Sequence, residues 1–202
     1  MSQETTISAA QVRDLRDKTG AGMMDCKRAL SATGGDLDQA IDFLRKQGIA
    51  AATKRAGRET REGQVYAYIH PGGRVGVLIE LGCETDFVAR TDDFQNLCRE
   101  LAMQAAATEA LAVDRDGIPA ERVAKEREIV RAQVASMGKP AAVLEKIVDG
   151  KMEKFFTEVC LLDQPYIRDP ERKVRDLVTA AIAKLGENIT VRRFAKYRLG
   201  ED

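Results

Sequence analysis

The chain has 202 residues, of which 44% are hydrophobic, and its 32 Lys and Arg residues balance its 32 Asp and Glu residues. This length suits one ordinary domain or two small ones with a real apolar core. A zero net charge argues against a general nucleic-acid binder, although it still allows a local basic patch. No stretch approaches the roughly 20 apolar residues of a membrane span, and the polar start, residues 1–5, is not a secretory signal. We therefore expect a soluble, cytoplasmic protein.

The sequence offers few residues for metal or cofactor chemistry. Its four cysteines are far apart, and His70 is its only histidine, which argues against a zinc site and indicates reduced thiols. The glycine-rich sequences that cradle nucleotide phosphates are missing. Glu80, Glu84 and Asp86 are close in sequence, but strand alternation would separate Glu80 from Asp86. We expect no metal and no cofactor.

The first fifty-odd residues predict three short helices. Capping residues and glycines mark two of them: Ser8 with Gln11 begins the first, Gly20 stops it, Asp36 begins the third and Gly48 stops it. The second is predicted from about Met23 to Ser31. Three such helices resemble a ubiquitin-associated fold. We assign this helical module to residues 1–54, followed by a charged linker at 55–63.

The remainder, residues 64–202, predicts a sheet interrupted by a long helical excursion. Alternating apolar residues on both sides of Pro71-Gly72-Gly73 predict a hairpin, and a late strand from Ile189 to Leu199 is expected to pair with it. Helical spacing predicts four helices in the excursion: about 92–108, 119–137, one opened by Pro140, and 174–185. We therefore predict an α+β fold, with a three-helix module followed by a three-stranded antiparallel sheet covered by helices.

The segment Gly82–Arg90 places a carboxylate beside an aromatic ring directly after an apolar strand. Thr85 is positioned to cap a short helix that begins at Asp86, which would hold Phe87 on a stiff corner. Residue types alone favour a simple interpretation in which Phe87 fills the core and Thr85 merely caps.

A family resemblance reverses that preference. Thr85-Asp86-Phe87-Val88 after a strand resembles the signature of the translation elongation factor Ts family, and residues 12–30, which include Arg16, Met23 and Met24, are similar to its amino-terminal signature. Three further motifs follow in the family's order: Gly138-Lys139-Pro140, Gln164-Pro165-Tyr166 and Gly186-Glu187-Asn188-Ile189. Tyr166 stands where the family more often has Phe. The resemblance covers nearly the whole chain.

The resemblance implies a guanine-nucleotide exchange factor for the GTPase elongation factor Tu, and not an enzyme. In that family the motif Thr85-Asp86-Phe87-Val88 would bind the partner, with Asp86 and Phe87 intruding near its magnesium and nucleotide site. Arg16, Met23 and Met24 would grip its nucleotide domain. GDP would leave, and a nucleotide-free complex would form. No direct contact with nucleic acid or a membrane is implied.

The resemblance also bears on assembly. Longer members of the family carry two copies of the core fold, whereas this chain contains one hairpin and one late strand. We expect a homodimer that joins the sheets of two chains, because it would cover a face with Tyr66, Tyr68 and Phe194. The alternative is a monomer whose own helices cover that face.

Two other classes of function remain open from the residues. An RNA-binding accessory protein would use Lys54, Arg55 and Arg58 together with the basic 192–198 face. A thiol enzyme would use Cys83, with His70 as its base.

Overall fold

The computed structural model describes residues 7–201, so the polar start at residues 1–5 lies outside the described part. The α-helices are α1 (Ala9–Thr19), α2 (Met23–Ala32), α3 (Leu37–Arg55), α4 (Asp86–Ala89), α5 (Asp92–Ala107), α6 (Ala120–Ala135), α7 (Ala141–Val159) and α8 (Val174–Leu185). The strands are β1 (Glu62–Ile69), β2 (Val75–Cys83), β3 (Pro165–Tyr166), β4 (Asp169–Lys173) and β5 (Ile189–Arg198). The predicted α+β fold is confirmed. None of the helices within residues 7–201 is both long enough and apolar enough to cross a membrane.

The chain divides into two compact units. The first contains the residues up to Gly63, together with Gly82–Leu97 and Asp176–Thr190. Its three amino-terminal helices share an apolar core made of Val12, Leu15, Cys26, Ala29, Leu30 and Ala40. The predicted capping box is present, since the Ser8 hydroxyl accepts from the Gln11 N–H and the Gln11 side chain accepts from the Ser8 N–H.

The predicted end of the third helix was wrong. Helix α3 continues through Gly48 to Arg55. A glycine inside a helix costs about 1 kcal/mol relative to alanine, but packing outweighs this cost. A Cβ at Gly48 would lie 3.7 Å from the Ala183 Cβ and 3.9 Å from the Thr179 Cγ2, so α3 lies close against α8 at this position. The proposed boundaries at 54 and 63 stay a prediction.

The second unit contains Gln64–Leu81, Cys98–Arg175 and the residues from Val191 on. The sheet has the strand order β1-β2-β5 and is antiparallel, as predicted. The His70 N–H donates to the Val75 carbonyl across the hairpin, and the Leu199 N–H donates to the Arg74 carbonyl. Alternate residues of β2 are buried in the core: Val77, Ile79 and Leu81.

The two faces of the sheet differ from the expectation. Tyr66, Tyr68 and Phe194 are half-buried, so this face does not need a second chain to cover it. The large apolar side chains that remain exposed on the strands are on alternate positions: Val65, Ile69, Leu78 and Tyr197. They form, with Leu199, an apolar surface that we call the outer sheet face.

The helices of the second unit follow the predicted pattern. Helices α6 and α7 pack through Val130, Val134, Val148 and Met152. Pro140 precedes α7, which runs without interruption to Val159. The short antiparallel pair β3 and β4 was not predicted, because the β4 sequence Asp169-Pro170-Glu171-Arg172-Lys173 carries no apolar alternation.

A buried carboxylate joins three segments of the second unit. Asp163 pairs with Arg115 at 2.9 Å and with Arg175 at 3.1 Å. Burial raises the pKa of the Asp163 carboxyl, but the two guanidinium groups outweigh this effect, so its pKa lies below the usual value. The Arg115 guanidinium also lies 4.7 Å from the centre of the Phe156 ring. The ion pairs therefore stabilise the ionised form of Asp163.

Candidate functional site

Helix α4 presents Phe87 to solvent. Strand β2 ends at Cys83, and Thr85 takes an extended conformation with φ −130° and ψ 154° before the four-residue helix begins at Asp86. The Thr85 hydroxyl accepts from the Val88 N–H at 3.4 Å, as a helix cap does. The Phe87 side chain is 79% exposed. The predicted capped helix is confirmed, and the core interpretation of Phe87 is wrong.

A second threonine holds the other end of α4. The Thr91 hydroxyl donates to the Val88 carbonyl at 2.7 Å and accepts from the Phe94 N–H at 3.3 Å, where α5 begins. Phe94 itself is fully buried. Helix α4 is therefore fixed at both ends, with the half-buried Val88 between the two threonines.

Asp86 is available at the surface beside Phe87. Its carboxylate pairs with the Arg90 guanidinium at 2.8 Å, one turn further along, and 45% of its side chain is exposed. An exposed ion pair of this kind contributes about 0.2–1 kcal/mol. The carboxylate can therefore exchange Arg90 for another partner at small cost.

Glu84 and Thr85 are tied to the two residues that precede β5. The Glu187 carboxylate accepts from the Glu84 N–H at 3.1 Å, the Thr85 N–H at 3.0 Å and the Thr85 hydroxyl at 2.6 Å. In return, the Glu84 carboxylate accepts from the Asn188 N–H at 2.6 Å. We call these four residues the β2–β5 clasp.

Sequence reasoning missed the role of Glu187, although it noted the motif Gly186-Glu187-Asn188-Ile189. The signal lay in the strand order. Because β5 runs antiparallel beside β2, the residues before β5 must lie beside the residues after β2. An acidic residue at that point can accept hydrogen bonds from the N–H groups of Glu84 and Thr85.

Arg16, Met23 and Met24 lie at the corner between α1 and α2, in the same compact unit as Phe87. Helix α1 ends at Thr19, Gly20 turns the chain with a φ of 68°, and α2 begins at Met23. Arg16 is exposed, and the two methionines are 46% and 71% exposed. Their neighbours Leu15 and Cys26 fill the core instead. The corner therefore offers flexible apolar side chains to solvent.

The alternative of a thiol enzyme finds no support in the state of Cys83. Burial, together with the nearby Glu187 carboxylate, raises the pKa of the Cys83 thiol to about 11. Its Sγ donates to the Thr85 carbonyl at 3.1 Å. A thiol with such a pKa remains protonated at neutral pH and is a poor nucleophile. The imidazole of His70 contacts the Tyr68 hydroxyl instead.

Each of the carboxylates considered as a metal ligand forms an ion pair with an arginine. Glu80 pairs with Arg193 at 2.7 Å, Glu84 with Arg58 at 3.4 Å, and Asp86 with Arg90. Across the part of the chain that the structure describes, no group of three or more His, Cys, Asp or Glu residues could hold a metal ion.

The alternative of an RNA-binding face is weakened in the same way. Arg193 pairs with Glu80, and Arg198 pairs with Glu109 at 2.7 Å. The Lys196 ammonium donates to the Thr108 carbonyl at 2.6 Å. Carboxylates within the chain thus offset part of the charge of the 192–198 face, which offers phosphates less positive charge than its sequence suggests.

Comparison with known proteins identifies the family. A family model described as elongation factor TS matches residues 44–181, which include Thr85–Val88. The chain is 57% identical over 195 residues to elongation factor Ts of Carboxydothermus hydrogenoformans, covering 96% of this chain and 90% of the relative. It is also 57% identical to elongation factor Ts of Moorella thermoacetica, covering 96% of each chain. The chain belongs to the elongation factor Ts family.

The sequence similarity extends over almost the full length of the relatives. Elongation factor Ts of Desulfosudis oleivorans is 53% identical over 196 residues, which cover 97% of this chain and 99% of the relative. The predicted resemblance is thereby confirmed. These relatives are therefore close to this chain in length.

Proposed function

We propose that this member of the elongation factor Ts family is a guanine-nucleotide exchange factor for elongation factor Tu and acts in the cytoplasm, where translation takes place. In the proposed mechanism, Asp86 and Phe87 enter the region of the partner's magnesium and nucleotide site, GDP leaves, and a nucleotide-free complex forms. Family membership supports the role. The observation that carries the mechanism is the exposed ring of Phe87 on a helix fixed at both ends.

The exposure of Phe87 favours a contact with another protein. A phenylalanine buries about 150–250 Å² when it enters an apolar pocket, so a ring left in water forgoes several kcal/mol of burial. Phe87 has few rotatable bonds, and α4 is held by Thr85 and Thr91, so little conformational entropy is lost on binding. Such rigid aromatic anchors dominate interface energies.

Asp86 has the charge that the proposed mechanism requires. A carboxylate that comes close to the partner's nucleotide phosphates repels them, and one that comes close to its magnesium ion competes with them for the metal. The weak pair with Arg90 leaves the carboxylate of Asp86 free to act in this way. Thr85 and Val88 serve by setting the direction of the two residues between them.

The α1–α2 corner supplies a second contact in this proposal. Arg16 would pair with an acidic or carbonyl group, while Met23 and Met24 would adapt to an apolar surface on the nucleotide domain. This contact adds affinity and orients the chain. It need not distinguish the GDP-bound partner from the empty one.

The thermodynamic basis is linkage. If the chain binds nucleotide-free elongation factor Tu more tightly than the GDP-bound form, it must lower the GDP affinity by the same factor. A ternary complex in which both ligands strain each other then loses GDP quickly. No chemical step and no catalytic side chain are required.

We also propose that two chains associate through their outer sheet faces. Val65, Ile69, Leu78 and Tyr197 are each between 45% and 69% exposed. A two-fold contact would cover this surface on both copies at once.

A direct experiment tests the role. Elongation factor Tu loaded with labelled GDP is mixed with the purified chain and an excess of unlabelled GDP, and release is followed with time. We expect the rate to rise with the concentration of the chain. A release rate equal to the spontaneous one at all concentrations would contradict the proposal.

A further inference from the structure

The β2–β5 clasp determines how α4 leaves the sheet. Within it, the Glu187 carboxylate accepts three hydrogen bonds from Glu84 and Thr85. Hydrogen bonds to an ionised acceptor are roughly twice as strong as neutral ones. The Thr85 hydroxyl uses its proton for Glu187 and its lone pair for the Val88 N–H, so the two bonds share one oxygen. Glu187 is thus connected through a single side chain to the backbone on both sides of Phe87.

The clasp is anchored on the far side as well. The Asn188 side chain donates to the Arg58 carbonyl at 2.8 Å, and the Arg55 guanidinium donates to the Gly186 carbonyl at 2.9 Å. Residues 186–188 are therefore fixed to the end of α3. Asn188 is also 3% exposed, so this anchor is shielded from water.

The ring of Phe87 depends on these anchors, because it makes little contact of its own. Its side chain is 79% exposed, and a helix of four residues is far too short to be stable alone. The direction of the ring is set by the backbone at Thr85 and Thr91. Of these two, Thr85 is the one that a distant residue holds.

We propose that Glu187 is a positioning residue that fixes the direction of Phe87 for insertion into the partner. This inference rests on the proposed function of Phe87. Glu187 acts through Thr85 and need not contact elongation factor Tu. Glu187→Ala leaves the N–H groups of Glu84 and Thr85 without their acceptor, whereas Glu187→Gln keeps a carbonyl oxygen for them and an amide that donates to the Thr85 hydroxyl.

The first test uses the chain without its partner. Because the chain contains no tryptophan, Phe87→Trp introduces a single fluorescent reporter on α4. Time-resolved anisotropy then measures the local motion of the indole. In this background, we expect Glu187→Ala to lower the residual anisotropy by about half, and Glu187→Gln to restore it. Glu153→Ala, which removes a carboxylate bound to Arg115 in the other unit, is the matched control and should change nothing.

The second test measures GDP release in a double-mutant cycle. We expect Glu187→Ala to slow release by about tenfold or more in the natural sequence. Its effect should be clearly smaller when Phe87→Ala is present, because only the position of Asp86 then remains to be disturbed. Glu187→Gln should recover most of the rate. Equal slowing by Glu187→Ala in both backgrounds would overturn the proposal, because Glu187 would then act independently of Phe87.

The two tests separate the possible failures. If Phe87→Ala does not slow release, the proposed role of Phe87 fails, while the anisotropy still decides whether Glu187 fixes the residue at position 87. Unchanged anisotropy in folded Glu187→Ala overturns the positioning role. If Glu187→Ala does not fold, Thr85→Val and Thr85→Ser are compared by anisotropy, since only serine keeps the hydroxyl. Equal anisotropy in these two would also overturn the proposal.

Discussion

Phe87 and Phe94 lie on consecutive helices and have opposite environments: the Phe87 side chain is 79% exposed, whereas Phe94 is fully buried. Thr91, between them, hydrogen-bonds to the end of one helix and to the start of the other. The buried ring thus anchors α5 directly after the short helix from which the exposed ring projects. The same residue type serves the core in one place and a surface in the other.

Phe87→Ala should leave the fold intact and slow GDP release. The ring contributes little to the core, so the melting temperature should change by no more than a few degrees. As an interface anchor, the ring should lower the barrier to GDP release by about 2 kcal/mol, so its removal should slow release by about thirtyfold. Leu111→Ala, which removes a 48% exposed side chain, is the control. A large loss of melting temperature with normal release per folded molecule would mean that Phe87 acts in the core.

Asp86→Ala should slow GDP release by about tenfold, through loss of a polar contact or of the charge at the helix start. Arg90→Ala distinguishes this effect from the loss of the surface ion pair. We expect Arg90→Ala to promote GDP release from elongation factor Tu at close to the natural rate. If both variants slow release equally, the ion pair between Asp86 and Arg90 is needed for exchange, and a direct contact of the Asp86 carboxylate with the partner is not.

The paired substitution Met23→Ala and Met24→Ala should weaken binding of elongation factor Tu by about tenfold without unfolding the chain. Calorimetric titration measures the affinity, and Ile49→Ala, at an exposed position of α3, is the control. Deleting residues 1–54 is a poorer test, because α3 packs against α8 at Gly48. Undiminished affinity in the paired variant would show that the α1–α2 corner does not grip the partner.

Asp163→Asn should lower the free energy of unfolding by about 2 kcal/mol at pH 7, because hydrogen bonds to charged groups contribute about this much. The ion pairs with Arg115 and Arg175 depress the pKa of Asp163 in the folded chain. Their stabilisation is therefore complete above the usual aspartate pKa of about 3.9 and is lost as the pH falls through the lower native value.

Denaturant titrations of the natural chain and of Asp163→Asn, at pH 7 and at successively lower pH, check this pH dependence. The difference in the free energy of unfolding between the two chains should shrink on acidification. Glu171→Gln, which alters an exposed carboxylate, should show no comparable difference at pH 7. A difference in unfolding free energy that widens below pH 4 would contradict the claim that the ion pairs stabilise ionised Asp163.

The sequence predicted most of the fold, because capping residues, glycine turns and apolar periods agree along the chain. Helix α8 begins and ends where its apolar spacing and Gly186 predicted. The rule that glycine stops a helix failed at Gly48, since contact with α8 decides the outcome there. Local signals could not reveal that contact.

The candidate site was predicted unevenly for a related reason. Thr85, Asp86 and Phe87 are neighbours, so capping preferences sufficed to place them. Glu187 is remote in sequence, and only the register of β5 against β2 brings its carboxylate to Thr85. The faces of the sheet were also misassigned, because alternation separates two sets of side chains without saying which set the helices cover.

The final prediction concerns the outer sheet face. If two chains associate through it, Tyr197→Asp should convert the dimer into a monomer, because it places a charge within an apolar contact. Light scattering across a dilution series gives the mass, for which a single chain is 22.2 kDa. The natural chain should remain near twice this mass at micromolar concentration, and Tyr197→Asp should not.

Leu111→Asp is the matched control, since it places the same charge on an exposed apolar residue outside the outer sheet face. It should keep the dimer mass, because its side chain is not expected to enter the contact. A natural chain of single-chain mass at micromolar concentration, with full exchange activity, would refute the dimer. A dimer that survives Tyr197→Asp would place the contact elsewhere, because an isologous interface contains this residue from both copies and so doubles the cost of the charge.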